Sequence, residues 1–228
     1  KYNNRFGEFD VSAFVGGNIR KNDYDQFSAR MNLGAKTGGL IIPDVYTFSN
    51  ASVPVTPMTS LREKQVNSLY GNVSLGFRDM LYIDGSLRKD WSSALPADNN
   101  GYAYPGVGAS FIFTEMLGDN NYLTFGKLRA GWAQVGNDVA ELMINPVYGA
   151  ASQPFEGSLL QYSRQRLIDP NITPALNTSF EAGFDLRFID NRAGLSFTYY
   201  DETRKDEIIP ITISQTTGFF DYLTNAGQ

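Results

Sequence analysis

Residues Ser68 to Trp91 read Ser-Leu-Tyr-Gly-Asn-Val-Ser-Leu-Gly-Phe-Arg-Asp-Met-Leu-Tyr-Ile-Asp-Gly-Ser-Leu-Arg-Lys-Asp-Trp, and the alternation in this stretch decides the fold. Leu69, Val73, Leu75 and Phe77 share one parity, while Tyr70, Asn72, Ser74 and Gly76 share the other. After Arg78-Asp79-Met80 the pattern resumes, with Leu81, Ile83 and Leu87 opposed to Tyr82, Asp84, Ser86, Arg88 and Asp90. Successive side chains of a strand point to opposite faces, so each half predicts a strand with one apolar and one polar face. The polar face carries charges of both signs over about ten residues, the length a tilted strand needs to cross a bilayer. A soluble β-sandwich shares the alternation but does not require those charges.

The same period recurs on both sides of this hairpin. It predicts strands at Phe9–Ile19, Ala103–Phe113, Tyr122–Val135, Asn177–Phe188 and Ala193–Tyr200, a further one at Ile208–Ile213, and a single helical turn at Glu115–Leu117. Two long segments lack a sustained period and hold chain breakers. Arg20–Gln65 contains Gly38-Gly39, Pro43, Pro54 and Pro57, and Gly136–Leu176 contains Pro146, Pro154, Pro170 and Pro174. Every second connection is tight, at 78–80, 114–121 and 189–192. Outer-membrane barrels have this asymmetry, with short periplasmic turns and long extracellular loops. The expected fold is therefore all-β, an antiparallel up-and-down transmembrane β-barrel ahead of a soluble β-sandwich, with Val66–Phe77 running inward and Leu81–Trp91 outward.

With that direction, the expected aromatic girdle is Phe77, Phe111, Phe113, Tyr122 and Phe188 at the periplasmic ends, with Trp91 and Trp132 toward the external ends. Asp84, Arg88, Asp90, Lys127, Arg129, Glu181, Asp185 and Arg187 fall on the other parity and are expected to face the lumen. Lys89 is the exception, placed where its ammonium can snorkel to the headgroups.

Composition narrows the chemistry. The 228 residues include no Cys and no His, and the formal net charge is −5. No thiolate or imidazole is on hand for a metal site or for acid/base work, and the acidic balance argues against nucleic acid. No apolar run approaches the ~18 residues of a membrane-spanning helix. We expect no enzyme, no metal and no cofactor. Asp84 with Asp90, or Glu181 with Asp185, lie on one strand face but about 13–20 Å apart, too far for paired-carboxylate catalysis. The plainer reading pairs these carboxylates with Arg88, Arg129 and Arg187. Asp98-Asn-Asn-Gly and Asp119-Asn-Asn read as turns before they read as Ca²⁺ loops.

A family resemblance rests on an ordered set of motifs: Asn67-Ser-Leu-Tyr-Gly, Leu87-Arg-Lys-Asp-Trp-Ser-Ser, Lys127-Leu-Arg-Ala-Gly-Trp-Ala-Gln-Val-Gly-Asn-Asp138, Thr178-Ser-Phe-Glu-Ala-Gly-Phe-Asp-Leu-Arg-Phe leading to Tyr199-Tyr, and Asn225-Ala-Gly. Together they resemble the SusC/RagA-like TonB-dependent outer-membrane transporters of Bacteroidetes. The resemblance implies a plugged barrel of about 22 strands, of which residues 1–228 would be one segment, with plug domain, TonB box and terminal strands lying outside it. It implies active import of oligomeric nutrients, glycan fragments first and oligopeptides second. The implied partners are a SusD-like surface lipoprotein, the TonB complex reached through the missing N-terminal part, an oligosaccharide or oligopeptide ligand, and outer-membrane lipid. Candidate ligand contacts are the aromatics of the external loops and lumen mouth: Tyr46, Phe48, Tyr102, Tyr104, Tyr148, Phe155 and Tyr162. The alternatives are a soluble carbohydrate-binding sandwich and a passive porin.

Overall fold

The computed structural model describes residues 1–31, 39–53, 55, 57–118, 122–145, 147–151, 154–162 and 164–227. The Asp119-Asn-Asn turn and the breakers Gly38, Pro54 and Pro146 lie outside them. In chain order the elements are β1 (Tyr2–Phe6), β2 (Phe9–Ala29), β3 (Pro57–Phe77), β4 (Leu81–Ser92), β5 (Gly101–Ile112), α1 (Thr114–Leu117), β6 (Leu123–Asn137), β7 (Gly149–Ala150), β8 (Gln161–Tyr162), β9 (Arg166–Ile168), β10 (Ala175–Phe188), β11 (Ala193–Lys205), β12 (Glu207–Thr212) and β13 (Asp221–Ala226). Eight of them form one sheet in the order β1-β2-β3-β4-β5-β6-β10-β11. Each strand pairs with its predecessor, and only the β6 to β10 connection skips elements, so the sheet is an up-and-down meander. Its edges, β1 and β11, are not joined, and this chain alone does not close a barrel.

The register preserves the alternation across the sheet. Residues directly opposite each other in an antiparallel pair share a face. Leu75 pairs with Ile83, Ile83 with Ala109, Ala109 with Ala130, Ala130 with Ala182 and Ala182 with Tyr199. One apolar stripe thus crosses from β3 to β11. The other face carries Ser74 opposite Asp84, Ser110 opposite Arg129 and Asp185 opposite Ser196.

The tight turns follow from their residues. Arg78 and Asp79 both have positive φ, 51° and 56°, and Met80 N closes the turn onto Phe77 O at 3.0 Å. Two positive-φ residues match the right-handed twist of the flanking strands. Asp190 and Asn191 play the same part between β10 and β11, with φ of 52° and 65°; short polar side chains tolerate this region best. At this end of the sheet, Arg78 pairs with Glu8 at 2.8 Å and Arg5 with Asp79 at 3.2 Å.

Several expectations need correction. Strand β2 runs to Ala29, not Ile19, and β3 starts at Pro57, not Val66, so Arg20–Gln65 is only partly loop. The added residues lack an apolar stripe. They are held by ladder hydrogen bonds and by groups such as Lys21 with Glu63 at 3.3 Å and Arg62 stacked 4.1 Å from the Tyr24 ring. Lys21–Lys64 forms a compact unit separate from Lys1–Arg20 with Gln65–Gln228. Strand β1 escaped the periodicity because Tyr-Asn-Asn-Arg-Phe has no apolar repeat. With β1 included, the wall has eight strands. β5 ends at Ile112 and β6 starts at Leu123, which leaves Phe113 and Tyr122 just outside the strands.

Within 138–174 the described residues are mostly irregular but include β7, β8 and β9, and the tail holds β12 and β13. β9, β12 and β13 form a three-stranded sheet in which β9 and β13 run parallel, a departure from the purely antiparallel expectation.

The buried hydrophobic core sits at the long-connection end. Ala94, Leu95, Val139, Ile172 and Leu223 form one cluster, with Tyr102, Met143, Ile144, Ile168 and Ile208 packed on it. By contrast, Leu69, Leu75, Leu87, Val107, Leu128 and Phe197 of the wall stay more than two-fifths exposed. No second sheet covers that stripe among the described residues. A sandwich would have buried it, because an apolar face of this extent left in water drives aggregation.

Candidate functional site

Two groups of paired charges stand on the polar face of the wall. In the first, Arg88 Nε donates to Asp90 Oδ1 at 2.8 Å and Arg88 Nη2 donates to Ser68 Oγ at 2.9 Å. The guanidinium lies 5.7 Å from the centroid of Tyr70. Asp90 and Ser68 are buried, so the pairing keeps a charge and a hydroxyl from being stranded away from water. In the second, Arg129 reaches Glu181 at 3.3 Å and Asp185 at 3.8 Å, and donates to Thr198. Both carboxylates lean onto one guanidinium, closer together than the about 13 Å of backbone between them suggests. Asp185 also accepts from Ser196. Gly183 makes this possible: a Cβ there would meet Arg129 Nε at 3.1 Å and Phe197 O at 2.5 Å.

Arg187 departs from the expected carboxylate pairing and instead stacks 5.5 Å from the Phe125 ring centre. Lys127 lies opposite Asp185 in the register, and Asp84 lies between Ser74 and Gly108.

At the long-connection rim, the motif Leu87-Arg-Lys-Asp-Trp-Ser-Ser becomes a fastening. Ser92 Oγ donates to Asp138 Oδ2. Ser93 N donates to Gln65 O, and Gln65 N donates to Ser93 Oγ, each at 2.9 Å. Beyond it, the described residues of 93–100, 138–174 and 206–227 form a cap around the cluster of Ala94, Leu95, Val139, Ile172 and Leu223. Asn225 holds the cap together. Its Nδ2 donates to Thr173 O at 2.8 Å and to Asp206 O at 2.7 Å, while its Oδ1 accepts from Thr173 N at 2.9 Å.

Two carboxylates in the cap are held below the usual range. Asp221 accepts both arms of Arg166, Nε at 2.6 Å and Nη2 at 3.1 Å, and this hydrogen bonding lowers it. Asp169 is lowered first by the Thr224 hydroxyl and then by the Asn171 amide.

Against this ion pair lies a cavity of about 510 Å³, lined in part by Asn145, Tyr162, Arg164, Gln165, Arg166 and Asp221. Arg166 is neutralised by Asp221. Arg164 instead rests on Tyr148, 5.7 Å from the ring centroid, and makes no ion pair among the described residues. The cavity thus offers one cation, two amides and the half-open ring of Tyr162. This combination can stack a flat apolar ring face and hydrogen-bond its polar rim.

The expected ligand aromatics divide accordingly. Tyr162 lines the cavity and Tyr148 supports Arg164. Tyr102 packs on the cap core and meets Tyr104 edge-on at 4.9 Å. Phe155 occupies a tight turn closed by Ser158. Tyr46 and Phe48 are exposed in the separate unit Lys21–Lys64. The sequence reading missed Asn145, Arg164, Gln165, Arg166 and Asp221, of which the parallel β9–β13 pairing brings Asp221 opposite Arg166. The run Arg164-Gln-Arg166 was the available signal.

The girdle residues lie as follows. At the short-connection end, Phe77 meets Phe9 at 4.8 Å, Phe111 pairs with Leu81 and Leu128, and Phe188 pairs with Ala193 and Leu123. The Phe113 ring covers Gly126, and Tyr122 is exposed. Trp91 is next to the last residue of β4. Trp132 pairs with Val107 and Phe180, farther from its strand end.

Comparison with known proteins accords with this geometry. Residues 1–228 match the family model described as TonB dependent receptor-like, beta-barrel. The chain is 25% identical over 240 residues to TonB-dependent receptor P3 of Formosa agariphila, covering 100% of this chain and 23% of that protein. It is 26% identical over 160 residues to TonB-dependent receptor SusC of Bacteroides thetaiotaomicron, covering 67% of this chain and 16% of that protein. The solved structure of the RagAB peptide transporter superposes with a TM-score of 0.80 at 20% identity, covering 99% of this chain and 25% of that chain. The chain thus spans a quarter or less of the length of these relatives. These relatives are receptors and a transporter, not enzymes. The apolar face of the wall is the lipid side of an outer-membrane barrel, its polar face the lumen side, and its short connections periplasmic: the chain belongs to the TonB-dependent receptor-like β-barrel family.

Proposed function

We propose that the protein containing this chain imports oligomeric nutrients across the outer membrane in a TonB-dependent manner, with glycan fragments as the substrate class. This segment supplies barrel wall and extracellular cap. A SusD-like lipoprotein docks on the external side, and the TonB complex acts through parts of the protein outside residues 1–228. The observation that carries the reading is the cap cavity, where the Tyr162 ring, the Arg164 guanidinium and the amides of Asn145 and Gln165 converge over about 510 Å³. Sugar rings present an apolar face to an aromatic and hydroxyls to amides and guanidinium. The lumen face below carries further charged groups of both signs, Arg88 with Asp90 and Arg129 with Glu181 and Asp185. A ligand released from the cap would meet successive polar contacts along the wall.

The test is uptake of labelled oligosaccharides and oligopeptides by cells carrying the full-length protein, with and without a proton-motive-force uncoupler. The expected result is oligosaccharide uptake that stops with the uncoupler and falls about tenfold, the equivalent of 1.4 kcal/mol, in Tyr162→Ala and Arg164→Gln. Uptake that survives the uncoupler would make the protein a passive porin. Uptake of oligopeptides alone would replace the substrate class.

A further inference from the structure

The lipid side of the wall is not uniform. Gly71 pairs with Leu87, and Gly85 pairs with Val73, so both glycines lie on the apolar face, on adjacent strands. A Cβ placed at Gly85 would meet nothing within 4 Å. A Cβ at Gly71 would meet Phe14 O at 3.2 Å and Val15 Cγ2 at 3.6 Å, so the open floor is at Gly85, in a trough of about 610 Å³ flanked by Val15, Leu69, Val73 and Leu87. It lies between β2 and β5, well inside the sheet, so its walls come entirely from this chain.

A cation stands at the external end of the trough. Lys89 pairs with Leu69 and Ala103, which puts it on the lipid side. Its Nζ sits 5.2 Å from the Trp91 ring centre, and it makes no ion pair among the described residues. Trp91 in turn is held flat over Gly101, where a Cβ would meet its Cδ1 at 3.0 Å. Lysine on an aromatic platform is more than a free snorkelling side chain, because the platform sets where the ammonium can go. From Gly85 to Lys89 the strand climbs about 13 Å toward the external rim, so an acyl chain lying in the trough would bring its headgroup to the ammonium.

We propose that this trough is a specific site for one lipid A molecule of the outer leaflet, with an acyl chain over Gly85 and a phosphate on Lys89. Charge and level select the occupant: the cation calls for an anionic headgroup, and the long-connection end faces the leaflet in which the phosphorylated lipid is lipid A. This site is independent of the substrate assigned above.

Native mass spectrometry of the delipidated full-length protein tests it, with three probes titrated separately: phosphorylated lipid A, its dephosphorylated form and phosphatidylglycerol. The expected result is one tight lipid A adduct that weakens about tenfold on loss of the phosphate, in Lys89→Gln, and in Gly85→Leu, which fills the trough. Leu195→Ala, elsewhere on the lipid side, is expected to leave the adduct intact. Equal affinity for phosphatidylglycerol, or an adduct unchanged in Lys89→Gln, would overturn the proposal. Lys89→Gln alters no packed core residue, so it decides the matter even if Gly85→Leu fails to assemble.

Discussion

The wall and the cap use the same apolar residue types to opposite ends. In the wall, Leu87 leaves 57% of its surface uncovered, whereas in the cap Ile172 and Leu223 are 0% exposed. The wall's apolar atoms are satisfied by hydrocarbon, which is supplied by the membrane. The cap stands in water and has to bury its own. The polar groups invert in the same way. The wall collects its ion pairs on one face, while the cap sets single clamps, Asn225 and the Arg166–Asp221 pair, around a small core. Hydrophobic content therefore says little about stability in this chain until the solvent on the far side of each residue is known.

The strongest way to break the comparison is to put a charge on the lipid side. Phe184→Arg in the full-length protein places a cation at mid-depth at a cost of about 2–4 kcal/mol, beyond the lost Phe184–Phe197 stacking at 5.7 Å. Loss of the heat-modifiable, membrane-inserted form is expected, while Asp84→Asn on the lumen side assembles normally. In the cap, the damaging change is the ordinary one for a water-soluble core. Leu223→Ala is expected to cost about 3 kcal/mol and to open residues 138–174 to protease while the wall stays inserted. Asn225→Ala removes four hydrogen bonds to Thr173 and Asp206 and is expected to cost about 1–2 kcal/mol, read as faster cap proteolysis.

The smallest effect is a response to pH. Asp221 and Asp169 are held below the usual carboxylate value by their hydrogen bonds. Their contribution is then fully present above about pH 4 and is lost as pH falls through their lowered values. Cap proteolysis by an acid-active protease should rise below pH 4 with no change in wall insertion. If acid released the wall first, the division drawn here would fail.

Much of the wall was legible because a membrane-spanning strand has one lipid face, and period 2 records it directly. Leu75, Ile83, Phe184 and Leu195 fell on that face by counting alone. The reading stopped at Ile19 and Val66 because β2 and β3 continue without an apolar face. Hydrogen-bonded backbone leaves no trace in composition when both sides are polar. The cap was illegible for another reason. Arg166 and Asp221 form their pair across 55 residues, and no local period encodes a contact made by parallel pairing of short strands. Tyr102, expected among the open ligand aromatics, is half-buried against a cap cluster whose members Val139, Ile172 and Leu223 are distant from it in sequence. The family-like motifs were partial guides: Arg88-Lys-Asp-Trp-Ser-Ser, Asp138 and Asn225 mark where the cap is fastened.

The parallel pairing of β9 with β13 has a consequence for the order of assembly. Its two strands are separated in sequence by the hairpin of β10 and β11, so β9 has no partner while that hairpin is being made. Only when the chain has crossed the membrane twice more does Asp221 arrive opposite Arg166 and Asn225 opposite Thr173. Closing so long a loop is slow compared with closing a hairpin. The cap is thus the last part of this chain able to form, and its completion records that the neighbouring wall is in place.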